Sequence, residues 1–275
     1  MVAEVIAAPA AAEAGAAGVW VVTLRNSGRL NAMSRSMWRQ LRAVFEALQH
    51  NTAVRCVLIE GAEGSFCAGG DISEYPAFRF DPAALRDFHE NDVWGGLAAM
   101  LACDVPIVAH VGGACMGAGV EIASCCDIRI ASSTARFGAP IAKLGFPMAP
   151  REAQLVAGAV GDLTARQMLL EAATFTAADM LTRGFLSRVA EPDLAAADAL
   201  GTACRVAALA PAAARMNKQT MRALNASKMP FAPAGSAPAA IENIVNGPQD
   251  PYAYANSAEH REGIEAFLAK RPPVF

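Results

Sequence analysis

Histidine is scarce in this chain, with His50, His89, His110 and His260 the four present among 275 residues. No two stand at i,i+4 spacing, so a zinc site has little to be built from, and each reads as structural or solvated. No metal and no tightly bound cofactor is expected. An excess of basic charge is also lacking: 23 Lys and Arg face 26 Asp and Glu, for a net charge of −3 and a pI near 5.8. Without a global positive field nucleic acid is not expected as a partner, although a local cluster of cations could still meet a phosphate.

Paired cysteine motifs are missing as well. The seven cysteines, Cys56, Cys67, Cys103, Cys115, Cys125, Cys126 and Cys204, are odd in number, sit in apolar runs and never form Cys-x-x-Cys. They read as reduced core thiols of a cytoplasmic protein. No uninterrupted apolar run is long enough for a membrane span, because the stretch from Val105 to Cys126 is broken by Pro106, His110 and Glu121. A buried strand, turn and helix are expected there. The first 18 residues have no positive region ahead of their apolar stretch, and Glu4 already interrupts them, so they are expected to be a frayed leader.

What is present is a 54% hydrophobic chain with ample material for a core. Residues 19–24 and 54–60 are β-branched runs of strand length. Between them Ser34 offers an N-cap, and Met37, Leu41, Val44, Phe45 and Leu48 repeat at helical spacing. A second round is expected as a helix at 82–101, a strand at 106–111, a helix at 117–125 and a strand at 127–131. This alternation predicts an α/β fold with a largely parallel sheet. Beyond about residue 160 the sheet is expected to end, with helices at 163–171, 176–183, 193–209 and 211–224. A Pro/Gly/Ala stretch at 230–238 then precedes an amphipathic segment on which Ile264, Phe267 and Leu268 share a face. The expected division is a core at 1–200 and a helical region at 201–275 that lids the site or meets a neighbouring subunit.

Two glycine-rich turns carry the chemical signal: Phe66-Cys67-Ala68-Gly69-Gly70-Asp71-Ile72, and Gly112-Gly113 through Gly117-Ala118-Gly119-Val120-Glu121-Ile122. Small side chains let a ligand approach the backbone, and N–H groups at a helix start are unpaired. Two such turns facing each other would make an oxyanion hole. Each alone is ordinarily a tight connection. Neither fits the P-loop or the dinucleotide fingerprint, so nucleotide hydrolysis and hydride transfer lose their main support.

Together, in this order, the turns resemble the signature of the enoyl-CoA hydratase/isomerase (crotonase) superfamily, F-x-A-G-x-D-[IVL] followed by G-x-x-x-G-x-G-x-E-[IL]. Further matches cover most of the chain: Arg29-Leu30-Asn31-Ala32-Met33, Cys126-Asp127-Ile128-Arg129-Ile130-Ala131, Phe137-Gly138-x-Pro140 with Leu144-Gly145, and Glu259-His260-x-Glu262-Gly263-Ile264-x-Ala266-Phe267-Leu268. The resemblance implies a crotonase-like spiral of ββα units with a C-terminal helical region, assembled as homotrimers or homohexamers. It also implies an acyl-CoA substrate, so that coenzyme A enters as part of the thioester.

Carried over by resemblance, the oxyanion donors fall on the backbone N–H groups of Ala68 and Ala118, and Glu121 on an acid/base glutamate. Arg29 and Ala32 fall near the pantetheine and nucleotide, Ala68, Gly69, Gly70, Asp71 and Ile72 along the thioester arm, and Gly117 beside it. Lys218, Lys270 and Arg271 are candidate phosphate contacts. Asp71 reads as a turn and cap residue and Asp127 as a holder of backbone groups. One departure stands out: many hydratases carry a second glutamate after the proline of F-G-x-P, where this chain has Ile141. Glu152 is the nearest carboxylate in sequence, though it reads first as a helix first-turn residue, and Arg151 as a surface cation. Trp94, Phe78, Phe80 and Phe146 either line a pocket or fill the core. Hydration ranks first as the reaction and double-bond isomerisation second, with decarboxylation, thioester hydrolysis or binding without turnover as further alternatives.

Overall fold

A computed structural model describes residues 3–11, 16–227 and 257–275. Strands β1 (Glu4–Pro9), β2 (Val19–Arg25), β3 (Cys56–Gly61), β4 (Ile107–Val111), β6 (Ile128–Ser132) and β9 (Arg188–Ala190) form one sheet in that order. Only β1 runs antiparallel to its neighbour. A smaller sheet holds β5 (Ala114–Met116), β7 (Arg136–Gly138) and β8 (Thr174–Thr176).

Alternation along the parallel strands divides the core. Val57 and Ile59 face one cluster, while Cys56 and Leu58 face another, as the two-residue period of a strand requires. On the first face lies α1 (Arg35–His50), capped by Ser34, whose side chain accepts from the Met37 N–H. Its Met37, Trp38, Leu41, Phe45 and Leu48 are buried, each such side chain contributing roughly 1.5–3 kcal/mol. On the second face lies α8 (Ala195–Ala207), which presents Ala199, Ala203 and Ala207 to Leu58, Val108 and Ile130. Residue 200, where the division is expected, lies within α8.

Three expectations are corrected. Residues 4–9, expected as part of a frayed leader, are β1, and Val5 is in the core. The sheet does not end at residue 160, because β8 pairs with β7 and β9 with β6. Strands of three residues are too short to display a two-residue period, which is why only helix was visible there. The helix expected at 82–101 is broken into α2 (Pro82–Asp87), a π-helical turn at Phe88–Val93, and α3 (Trp94–Ala102). Such π turns re-aim side chains and recur at functional sites.

Of the remaining helices, α4 (Ala118–Ser124), α6 (Asp162–Leu170), α7 (Ala177–Thr182), α9 (Pro211–Ser227) and α10 (Ala258–Leu268) follow the expected segments, while α5 (Pro150–Val160) extends the single first turn read at Glu152. On α10 Ala266 is buried, whereas Ile264, Phe267 and Leu268 are exposed. The 230–238 stretch lies outside the described residues. Among the described residues no helix is long and apolar enough to cross a membrane, and no group of three or more His, Cys, Asp or Glu is placed to hold a metal ion.

Candidate active site

The two glycine-rich turns lie side by side. Cys67 bridges to Cys115: the Cys67 N–H donates to Ala114 O and the Met116 N–H to Cys67 O, both at 2.8 Å. This short ladder brings the first turn against the start of α4. Gly119 makes the approach possible, since a Cβ there would sit 2.5 Å from the Cys67 carbonyl oxygen. Gly117, at φ +48°, takes a left-handed conformation that reverses the chain into α4.

Beside them is a cavity of about 210 Å³, well above the roughly 10–15 Å³ that one water needs. Ala68, Gly69, Gly70, Ile72, Gly117, Ala118 and Glu121 all line it. Arg29 and Ala32 do not line it, nor does Asp71. Asp71 instead accepts from the Ser73 N–H and pairs with Arg29 at 2.5 Å, the turn and cap role expected of it. These bonds hold the Asp71 carboxyl below its usual range against the opposing effect of burial.

The assignment of an oxyanion donor to Ala68 is overturned. Its N–H donates to Leu30 O at 2.9 Å and is therefore spent within the fold. Two residues on, Met33 receives the Asp71 N–H and donates to Gly69 O, which brackets Gly70. In extended backbone successive residues face opposite sides, so the Gly70 N–H is turned away from Met33. It has no acceptor among the described residues, and Gly70 lines the cavity. Ala118 is the first residue of α4, and its N–H likewise has no acceptor among the described residues. Which amide of this turn is free depends on the bridge to Met33, a tertiary contact.

Glu121 stands in the first turn of α4, 9% exposed, with no side-chain hydrogen bond among the described residues. Burial first, then the charge of Glu152, raise its carboxyl to about 8. At neutral pH it therefore carries a proton that it can give. Ile141 lines the same cavity, as do the aromatic side chains Trp38, Tyr75, Phe88 and Phe146. Phe78 packs in the core, Phe80 is exposed, and Trp94 lies under the Arg151 guanidinium. Arg151 pairs with Glu90, the surface role expected.

Two residues that the sequence read as structural, His89 and Glu152, also line the cavity. Glu152 does sit in the first turn of α5, but it is 2% exposed and lines the cavity with His89. The π turn that places His89 had no sequence signal of its own. Two candidate phosphate contacts are engaged elsewhere: Lys218 pairs with Asp127 and donates to Val105 O, and Arg271 pairs with Glu262. Asp127 accepts from the Ile107 N–H, the backbone-holding role expected. All seven cysteines are free thiols, and burial pushes those of Cys56, Cys67 and Cys126 up to about 12.

Known proteins resemble this chain over most of its length. The family model for enoyl-CoA hydratase/isomerase matches residues 14–275. A protein of Rhizobium meliloti named probable enoyl-CoA hydratase is 32% identical over 94% of each chain. A short-chain-enoyl-CoA hydratase of Clostridium acetobutylicum is 33% identical over 74% of this chain and 77% of that one. The crystal structure of an enoyl-CoA hydratase/carnithine racemase from Magnetospirillum magneticum superposes with a TM-score of 0.83 at 30% identity, covering 94% of this chain and 92% of that one. With this fold, these paired turns and these relatives, the chain is an enzyme of the enoyl-CoA hydratase/isomerase (crotonase) family.

Proposed function

We propose that this enzyme is an enoyl-CoA hydratase that holds the thioester oxygen of its substrate between the N–H groups of Gly70 and Ala118. The observation that carries this reading is Glu121, an unpaired carboxyl facing a cavity edged by those two free amides. Adding water across the double bond of an enoyl thioester develops negative charge on the carbonyl oxygen, and each preorganised donor is worth roughly 3 kcal/mol in the transition state. Glu121, protonated at neutral pH, delivers a proton to the carbon next to the carbonyl as the enolate collapses.

The acyl group enters the cavity, the thioester arm runs along Ala68 to Ile72 and past Gly117, and Arg29 and Ala32 lie toward the pantetheine and nucleotide. The exposed apolar residues Ile264, Phe267 and Leu268 on α10 support a homotrimer or homohexamer in which the helical region after α8 meets a neighbour. The free thiols support a cytoplasmic setting.

Double-bond isomerisation is the second reading. It moves one proton between carbons and needs one carboxylate, and Ile141 supplies none to the cavity. A panel of acyl-CoA thioesters followed by ultraviolet absorbance and mass spectrometry tests both. A mass gain of one water on a 2-enoyl-CoA supports hydration. Conversion of a 3-enoyl-CoA to its isomer without water gain replaces it with isomerisation, and silence across the panel refutes both.

A further inference from the structure

Glu152 is a buried acid with one oxygen unused. Its Oε1 lies 3.1 Å from Nδ1 of His89, while its Oε2, shielded from solvent, has no hydrogen-bond partner among the described residues. A buried unpaired carboxylate oxygen is costly, and native structures rarely retain one without a use. The plain structural roles do not account for it. Among the described residues its side chain makes no hydrogen bond to the backbone N–H groups at the start of α5, and no Lys or Arg lies within ion-pair distance of it. The cavity does account for it, because Glu152, His89 and Glu121 all line that cavity.

The surroundings fit a positioned group. α5 packs on α4, so the two carboxyls come from neighbouring helices. His89 comes from the π turn at Phe88–Val93 and keeps a fifth of its side chain exposed, which connects Glu152 to solvent. Arg79 and Tyr75, from the segment after the first glycine-rich turn, also line the cavity, with the Arg79 guanidinium stacked on Phe146 and Tyr75. The charged and titratable groups around Glu152 are therefore Glu121, His89, Arg79 and Tyr75.

We propose that Glu152, held by the positioning residue His89, is the second acid/base group of the site and activates the water that adds to the substrate. This rests on the hydratase reading. As the water oxygen bonds to the β-carbon, Glu152 takes one of its protons and the double-bond electrons move to the thioester oxygen. The enolate then collapses, and the α-carbon takes the proton of Glu121. The substrate has gained H and OH, and one proton has moved from Glu121 to Glu152. It returns through water admitted when product leaves, so no further reactant is needed.

The test separates water addition from α-carbon chemistry. Hydration of crotonyl-CoA is measured by ultraviolet absorbance, and exchange of the α-protons of butyryl-CoA with D2O at pH 8 by mass spectrometry. Wild type is compared with Glu152→Gln, Glu152→Ala, His89→Gln and Glu121→Gln, each checked by circular dichroism. Glu152→Gln is expected to lose hydration by on the order of 100-fold while exchange stays within about threefold, because exchange needs only Glu121 and the oxyanion donors. Glu121→Gln is expected to lose both. His89→Gln is expected to lower kcat with KM nearly unchanged and to shift the pH dependence of kcat, a change that a merely structural role would not produce. A folded Glu152→Gln or Glu152→Ala enzyme that hydrates at the wild-type rate overturns the assignment. Wild type that exchanges without hydrating overturns it too. Wild type that does neither refutes the hydratase reading itself, an outcome distinct from the failure of Glu152 alone.

Discussion

The hydroxyl of Tyr75 occupies the space that a Cβ on Gly70 would need. Gly70 has an ordinary φ, so an alanine there would be opposed by this contact and not by backbone strain. Gly70→Ala is expected to displace the Tyr75 ring or the turn itself and to misplace the amide assigned to the oxyanion. A fall in kcat of about 100-fold is expected, within the range for loss of one donor. Adding Tyr75→Phe removes the colliding oxygen and should restore part of the rate. Steady-state kinetics of the single and double variants check this, and equal losses in both would detach the effect from Tyr75.

Ala118 begins α4, a position where proline is tolerated because the N–H it removes has no helical partner. Ala118→Pro is therefore expected to fold and to lose activity by on the order of 100-fold or more, whereas Ala118→Gly keeps the amide and should be mild. Circular dichroism confirms folding before the rates are compared. A folded proline variant that still turns over removes Ala118 from the oxyanion site.

Replacing the carboxyl of Glu121 with an amide leaves the shape and deletes the proton. Glu121→Gln is expected to lower kcat by roughly 100-fold or more, with CoA-ester binding retained. In wild type, the step that uses Glu121 as a donor should weaken as pH rises through about 8, where the carboxyl ionises. Binding by calorimetry and kcat across pH report the two parts separately.

The same carboxyl makes folding pH-dependent. It holds its proton in the native state to about 8, while the unfolded chain releases it near 4.5. Between these values the native state binds more protons, so the stabilising contribution is complete below about 4.5 and is lost as pH rises toward 8. Glu121→Gln has no proton to lose. The wild-type Tm is therefore expected to fall further than the variant's between pH 5 and pH 8.5, as thermal unfolding followed by circular dichroism would reveal; parallel curves would mean that Glu121 is not buried from solvent.

Much of this was legible in the sequence, for physical reasons that also mark where legibility stops. α1 is local: Ser34 caps it and its apolar residues recur at helical spacing, so both its start and its buried face follow from sequence. The two glycine turns and Glu121 stand out in the sequence because small residues and a carboxyl recur there at fixed spacing, and the fold brings them to one cavity. The free amide of Gly70 was not, since it depends on how Met33 brackets the turn. Glu152 and His89 lie 63 positions apart and meet only because a π turn aims one at the other. β8 and β9 were missed for want of length, and β1 because an alanine-rich run gives an edge strand no clear alternation.

Ile141 tests whether the cavity lacks an acid or already has two. It sits in the short turn Pro140–Leu144, after Phe137-Gly138-Ala139-Pro140, and lines the cavity shared by Glu121 and Glu152. Considered from the sequence alone, Ile141→Glu should raise hydration by restoring a missing proton donor. With Glu152 in the cavity that expectation changes. A third carboxyl beside two others is disfavoured in its charged form and stays protonated, so it duplicates the donor role of Glu121 and fills no gap. Ile141→Glu in the wild-type background is therefore expected to leave hydration of crotonyl-CoA within about threefold of its starting rate. In the Glu152→Gln background, where the second carboxyl is absent, the same substitution should recover hydration by on the order of 10-fold, more at high pH, where the new group ionises and can accept a proton from water. Rates for the four combinations at several pH values, with a thermal unfolding check on each, give the comparison. A large gain in the wild-type background would mean that Glu152 leaves the second role unfilled. No gain in either would mean that an acid at Ile141 cannot reach the reacting carbons, and that water is activated from the α5 side of the cavity or not at all.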